Sequence, residues 1–196
     1  MGDGECELCY LQMMQRYIRD KVGSCLTVTL KPELPQKTKL TDLRKKVLEL
    51  AEVYHKVFWI IDLDVVNAEG ALNEFKKHIK EIRTINAKFG EEKIVIIINN
   101  PCFEFWLLLH FEPTSGHYSN CNDAIKRLEK HLPAYEKTQA YYTKQGKDIF
   151  LKLKPKLKDA IANAEKLQFD FDSPLAGVSQ MHSLFNDEHI KKIIEK

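Results

Sequence analysis

The sequence predicts an α/β protein, a three-layer sandwich with a mainly parallel central sheet, followed by a helical C-terminal half. Three observations carry this reading. Helix-period and strand-like apolar segments alternate up to about residue 112. Two strand segments, 57–64 and 94–98, are continuous apolar runs, the pattern of parallel strands covered on both faces. Past Glu112 the strand signal fades and helical spacing dominates.

From Glu5 to about Lys21 the spacing of Leu8, Leu11 and Ile18 predicts an amphipathic helix. Leu26-Thr-Val-Thr-Leu30 alternates with period two and predicts a strand, ended by the loop prolines Pro32 and Pro35. Leu40, Leu43, Val47, Leu50, Ala51 and Tyr54 predict a helix over 40–55. The run from Val57 to Asp64 is the first buried strand, its two acids pointing to one side by strand alternation. A helix marked by Leu72, Phe75, Ile79 and Ile82 follows, then the strand Ile94–Ile98 and a nearly all-apolar helix from Cys102 to Phe111. Asn100 is the expected cap of that helix and Pro101 its first residue. The turn Pro113-Thr-Ser-Gly116 opens the second half, with helices expected over 121–132, 147–167 and Asp187–Glu195.

One domain over 1–196 accommodates all of this, with 1–112 as the α/β core and 113–196 as a mostly helical extension. A 44% apolar fraction excludes wholesale disorder. Thirty basic against 28 acidic side chains give +2, so any affinity for nucleic acid must come from local clustering. No stretch approaches the roughly 18 apolar residues of a membrane span, and the expected location is the cytoplasm, away from membranes. Five cysteines are too few for a secreted disulfide scaffold, and reduced thiols are expected. Cys6-x-x-Cys9 is half a zinc spacing with no second half, which favours packing residues on a helix.

Four features could carry chemistry. Asp62-Leu63-Asp64 ends a buried parallel strand, where open α/β sheets bind ligands. Carboxylates held that close repel unless a cation or a proton sits between them, and an oxygen-only set suits Mg²⁺ or Mn²⁺. Glu104 falls in the first turns of a helix otherwise made of rings and leucines, so it either bonds its own helix start or faces a polar site. His110, at the end of that helix, reads as a satisfied buried histidine. Gly2-Asp3-Gly4 with Glu5 and Glu7 reads, on spacing alone, as a helix start rich in acids. Lys144, Lys147, Lys152, Lys154, Lys156 and Lys158 follow Tyr141 and Tyr142, and are either a solvated face or a track for a phosphate backbone beside a stacking ring.

Gly2-Asp3-Gly4-x-x-Glu7-x-x-Tyr10, Ile61-Asp62-Leu63-Asp64 and the string from Asn99 to Phe111 together resemble the RloB-like proteins, over nearly the whole chain. Tyr142-Thr143-Lys144 resembles the family's downstream Tyr-x-Lys. The resemblance implies a Toprim-like fold and a place beside restriction-modification genes in defence against phage. It also implies an acid before glycine at the end of a first strand, here Asp3, and an Asp-x-Asp at the end of a later strand, here Asp62 and Asp64, together binding a divalent metal. Two departures stand out. The family pattern carries an apolar strand ahead of the Gly-Asp-Gly turn, so either this sequence is trimmed or another segment fills that place. Its C-terminal Asn-Pro-Ser-Thr is matched only by Asp172-Ser173-Pro174-Leu175.

The expected function is therefore a Mg²⁺- or Mn²⁺-dependent nuclease or phosphodiester-transfer enzyme of the Toprim type in antiviral defence. Asp3, Asp62 and Asp64 would hold the metal, with Glu7 or Glu104 as general base or outer ligand. Nucleic acid, DNA or RNA, and a defence-system partner protein are the expected partners. The alternative is a nucleic-acid- or partner-binding module of a restriction-modification or abortive-infection system whose catalytic centre is weakened. A small-molecule enzyme using the same crevice has only fold logic behind it.

Overall fold

The two apolar runs do become neighbouring parallel strands. In the computed structural model, which describes residues 3–22, 30–33, 39–171 and 176–195, β1 (Val57–Asp62) pairs with β2 (Ile94–Asn100) from Val57↔Ile94 through Asp62↔Asn99. Strand alternation then divides the molecule. Val57, Trp59, Ile61, Ile94 and Ile98 face one apolar core, while Phe58, Ile60, Val95 and Ile97 face the other. The first core is closed by α2 (Leu40–Val53), α3 (Leu63–Ala68) and α4 (Leu72–Phe89), through Val47, Leu63, Phe75 and Ile82. Gly90, in the left-handed region at φ 72°, ends α4 as its C-cap.

The second core is larger and mostly helix on helix. α1 (Asp3–Val22) buries Cys6, Tyr10, Met14 and Ile18, spaced four apart on one stripe. Tyr10 meets Phe103 and Phe150 edge to face, at centroid distances of 5.2 and 5.5 Å. α5 (Phe103–Leu109) is buried on every side, which explains its lack of an amphipathic pattern. Around it lie α6 (Cys121–Leu128), α7 (Gln139–Tyr142), α8 (Ile149–Leu153), a 3₁₀ turn (Lys154–Lys156) and α9 (Leu157–Glu165). A two-residue strand, β3 (Val178–Ser179), pairs antiparallel with the end of β2, and α10 (His182–Phe185) and α11 (Glu188–Ile194) follow.

This corrects the predicted fold class. Among the described residues the sheet is small and mixed, three strands in the order β1-β2-β3, and most of the structure is helical. It is not a Toprim-like three-layer sandwich around a mainly parallel central sheet. The physical reason is that, among the described residues, only two segments are long apolar strands, while most buried rings and leucines sit on helices that cover one another. The expected strand at 26–30 lies outside the described residues except for Leu30, as does the whole of 172–175. The helix expected over 147–167 is broken by Pro155, which sits in the 3₁₀ turn between α8 and α9.

Candidate functional site

Strand β1 ends at Asp62, two residues before the expected end at Asp64, and that changes the Asp-x-Asp geometry. Asp62 is the last residue of β1, in extended backbone, while Asp64 already belongs to the first turn of α3. The two carboxylates therefore do not alternate along one strand. The Asp64 amide instead donates to the Pro101 carbonyl at 3.1 Å, tying α3 to the loop after β2.

Asp62 is buried and held on both oxygens. Asn99 Nδ2 donates to Oδ1 at 3.2 Å, and the Phe103 amide donates to Oδ2 at 3.0 Å. Asp62 thus caps α5 from across the chain. The expected cap, Asn100, lies in β2 and donates from Nδ2 to the Ala176 carbonyl at 2.6 Å. Pro101 precedes the helix rather than opening it, follows a cis peptide bond, and leaves Cys102 at the N-cap position. Asn99 is in turn held by the Ser179 hydroxyl, which donates to Oδ1 at 2.7 Å. The two-residue strand β3 exists at the place where it supports this chain of bonds.

Glu7, buried on α1, shares a side-chain hydrogen bond with Asp62. Burial first, and then the neighbouring Asp62 charge, hold the Glu7 carboxyl well above the usual carboxylate range. Asp62 is raised too, by burial first and then by Glu104 and Asp64, against the lowering effect of the Phe103 amide. Both shifts run the same way, because two close buried acids resist being charged together. Glu7 Oε2 is buried with no hydrogen-bond partner. Glu7 and Asp62 border a cleft of about 1080 Å³ whose walls include Val47 of α2, Trp59 of β1 and Ile190 of α11.

Glu104 has a different surrounding. It is wholly buried and makes no bond to its own helix start. Tyr135 OH donates to Oε1 at 2.9 Å, and Lys137 Nζ stands 3.3 Å from the same oxygen. Tyr142 OH lies 2.8 Å from Tyr135 OH, and burial with the Glu104 charge drives both phenols far above their ordinary values. The Tyr-x-Lys spacing that reaches Glu104 is thus Tyr135-Glu136-Lys137, whereas in Tyr142-Thr143-Lys144 the lysine is exposed. Cys6 touches Tyr142, and burial pushes its thiol up to about 12. Cys6 and Cys9 are free and buried, in keeping with a packing role. The expectation of reduced thiols fails at Cys102 and Cys121, which form a disulfide with Cα atoms 5.5 Å apart. Cys121 Sγ also lies 3.1 Å from Glu104 Oε2. His110 donates from Nδ1 to the Trp106 carbonyl at 3.0 Å, and burial lowers it to about 4, so it is neutral near pH 7.

The fold therefore brings Glu7, Asp62, Asp64 and Glu104 into one electrostatic neighbourhood. The side chain of Asp3 lies outside the described residues. Sequence reading missed Asn99, Ser179, Cys121, Tyr135 and Lys137; a signal existed only for Tyr135 and Lys137, as a second Tyr-x-Lys. The lysine stretch runs from the loop between α7 and α8 through α8 and the 3₁₀ turn into α9. Lys144, Lys147, Lys152 and Lys156 are exposed, and Lys154 is half-buried. Lys152 lies 4.6 Å from the Tyr141 ring centre, Lys154 5.0 Å from Tyr17, and Lys156 5.6 Å from Phe111. Tyr141 in turn packs 5.4 Å from Tyr135, so the basic surface adjoins the Glu104 cluster.

A family model described as RloB-like protein matches residues 1–186, and the chain belongs to the RloB-like family. No curated protein and no solved structure matches it. Among the described residues, no helix is long and apolar enough to cross a membrane.

Proposed function

We propose that this RloB-like protein is a divalent-metal-dependent phosphodiester hydrolase or phosphoryl-transfer enzyme acting on nucleic acid, in the antiviral setting that the family resemblance implies. The observation that carries the reading is the buried Glu7–Asp62 pair with the unpartnered Glu7 Oε2. Two close buried acids that resist being charged together can be balanced by a proton or by a cation. Their donor set is all oxygen, which fits Mg²⁺ or Mn²⁺, and each Asp62 oxygen keeps a lone pair beyond the bond it accepts. Glu7 and Asp62 would hold the ion, with Asp64 and Asp3 as further ligands. Bound there, it would supply charge neutralisation at a phosphate.

The chain's own groups do the rest. Asn99 and the Phe103 amide fix the Asp62 carboxylate, and Ser179 fixes Asn99. Lys137 and Tyr135 hold Glu104, and Glu7 or Glu104 would serve as general base or outer ligand. Lys144, Lys147, Lys152, Lys154 and Lys156 would track the phosphate backbone, with the Tyr141 ring available for a base.

A second reading is a nucleic-acid- or partner-binding module with a silent centre. It is favoured by the Lys152–Tyr141 surface, which needs no catalysis to bind a strand or an acidic partner protein of a defence system. One experiment separates the two. Plasmid DNA and RNA are incubated with Mg²⁺ or Mn²⁺ and either wild type or Asp62→Ala. Cleavage lost in the variant supports the enzyme. Absent cleavage, with binding whose salt slope falls by roughly two to three when Lys144, Lys147 and Lys152 become Ala, supports the module.

A further inference from the structure

We propose that the reduced chain carries a second metal site, in which Cys102, Cys121, Asp64 and Glu104 bind one thiophilic divalent cation of the Zn²⁺ type. The site shares Asp64 and Glu104 with the function proposed above, and its test reads sulfur–metal bonding rather than activity, so either proposal can fail alone. Among the described residues, Asp64, Cys102 and Cys121 form the one group that places three ligand atoms within 4.8 Å of one another. Glu104 lies beside this group, with Oε2 3.1 Å from Cys121 Sγ, and would join it as a fourth ligand. The four come from three separate elements: the first turn of α3, the N-terminal end of α5, and the first residue of α6. Cys102 and Glu104 are wholly buried, whereas Asp64 and Cys121 are half-buried, which leaves a route of entry.

Two sulfurs and two carboxylate oxygens form the donor set of a four-coordinate, borderline-soft ion. Mg²⁺ prefers six oxygens and would reject the sulfurs, which sets this site apart from the Glu7–Asp62 pair. Supporting groups are already present. Tyr135 and Lys137 bond the Glu104 oxygen that does not face Cys121, and such outer contacts fix a ligand's orientation. Two thiolates beside two carboxylates would repel strongly. A divalent ion together with the Lys137 ammonium, 4.0 Å from Cys121 Sγ, offsets most of that charge. Cys6 and Cys9, by contrast, join no such group among the described residues.

The disulfide and the metal are mutually exclusive. A water-soluble phosphine opens the Cys102–Cys121 bond by taking the oxygen of one water as phosphine oxide, and the two protons of that water complete two thiols. A dithiol does the same by passing two electrons and two protons and becoming a disulfide itself. Cation binding then releases the two thiol protons. The site is thereby open only to the reduced protein.

The test uses the full chain, phosphine-reduced and oxidised, titrated with Co²⁺ as a coloured stand-in for Zn²⁺. Expected for the reduced protein is a sulfur-to-cobalt charge-transfer band with tetrahedral visible absorption, saturating at one ion per chain and displaced by Zn²⁺. The oxidised protein should show neither. Cys6→Ala combined with Cys9→Ala should keep the band. Cys121→Ser, conservative and half-exposed, should lose it while circular dichroism stays unchanged. Asp64→Asn and Glu104→Gln should each weaken cobalt roughly tenfold without removing the band. As a measurement free of variants, Zn²⁺ should shield Cys102 and Cys121 of the reduced protein from alkylation read by mass spectrometry. A reduced wild type without the band, a band that survives Cys121→Ser, or thiols alkylated equally with and without Zn²⁺ would each overturn the proposal.

Discussion

Two buried carboxylate settings lie close together and solve the same physical problem in opposite ways. Glu104 faces an ammonium and a phenol, so its charge is met inside the protein. Glu7 and Asp62 face each other and an amide or two, and no described cation reaches them. The first arrangement has its counter-charge built in. The second is balanced only by a proton or by something from outside, which is what a binding site requires and a structural ion pair does not. The difference teaches that a buried acid is informative through its counter-charge, and residue type alone says little.

Removing the counter-charge should have the largest effect. Lys137→Met leaves Glu104 buried beside Tyr135 alone, and should lower stability by about 3 kcal/mol in urea unfolding. Adding Glu104→Gln should recover most of the loss, and strictly additive single losses would dissolve the ion pair as an explanation. Gly177→Ala comes next. A Cβ there would stand 2.4 Å from Phe105 Cε2 and 2.8 Å from Tyr118 Cδ2, just ahead of the strand that carries Ser179 beneath Asn99. A cost of about 2 kcal/mol is expected, with a change in metal affinity if β3 is what holds Asp62 in place.

The Glu7–Asp62 side is broken by pH. Both groups are raised in the folded chain, so the folded state keeps protons that the unfolded chain releases above the ordinary values of 4.5 and 3.8. Their contribution is fully present below those values and is lost as pH rises through the raised ones. Stability should therefore decline with rising pH above the carboxylate range, by about 1.4 kcal/mol per pH unit for each extra proton held. Asp62→Asn should flatten that decline in melting experiments, and Mg²⁺ should restore stability at the alkaline end. A melting temperature that rises with pH would remove the retained protons. The smallest effect is expected for Tyr135→Phe, about 1.5 kcal/mol from the lost bonds to Glu104 and Tyr142, with the pH dependence of the Glu7–Asp62 pair intact.

Much of the local structure was legible beforehand. The stripe of α1, the runs of β1 and β2, the all-apolar α5 and the packing role of Cys6 and Cys9 follow from burial demands that act over a few residues. The site was legible as a set of residue types and not as an arrangement. Asp62 and Glu104 stood out because acids among rings need a reason. Their reasons lie 31 to 41 residues away along the chain, at Tyr135 and Phe103. Asn100-Pro101 gave a plausible but wrong cap, because a tertiary carboxylate outcompeted the local side chain.

What the sequence by itself determined is where the chain is apolar, with what period, and to which family it belongs, since these are properties of consecutive residues. Only the tertiary structure decided that β3 pairs antiparallel with the end of β2, that Asp62 and Asp64 part company between a strand and a helix, that Cys102 meets Cys121, and that Lys137 rather than Lys144 serves Glu104. Each of those outcomes depends on which distant groups share one desolvated space. Electrostatic and hydrogen-bond energies there are set by separations of three to four ångströms that sequence spacing does not encode.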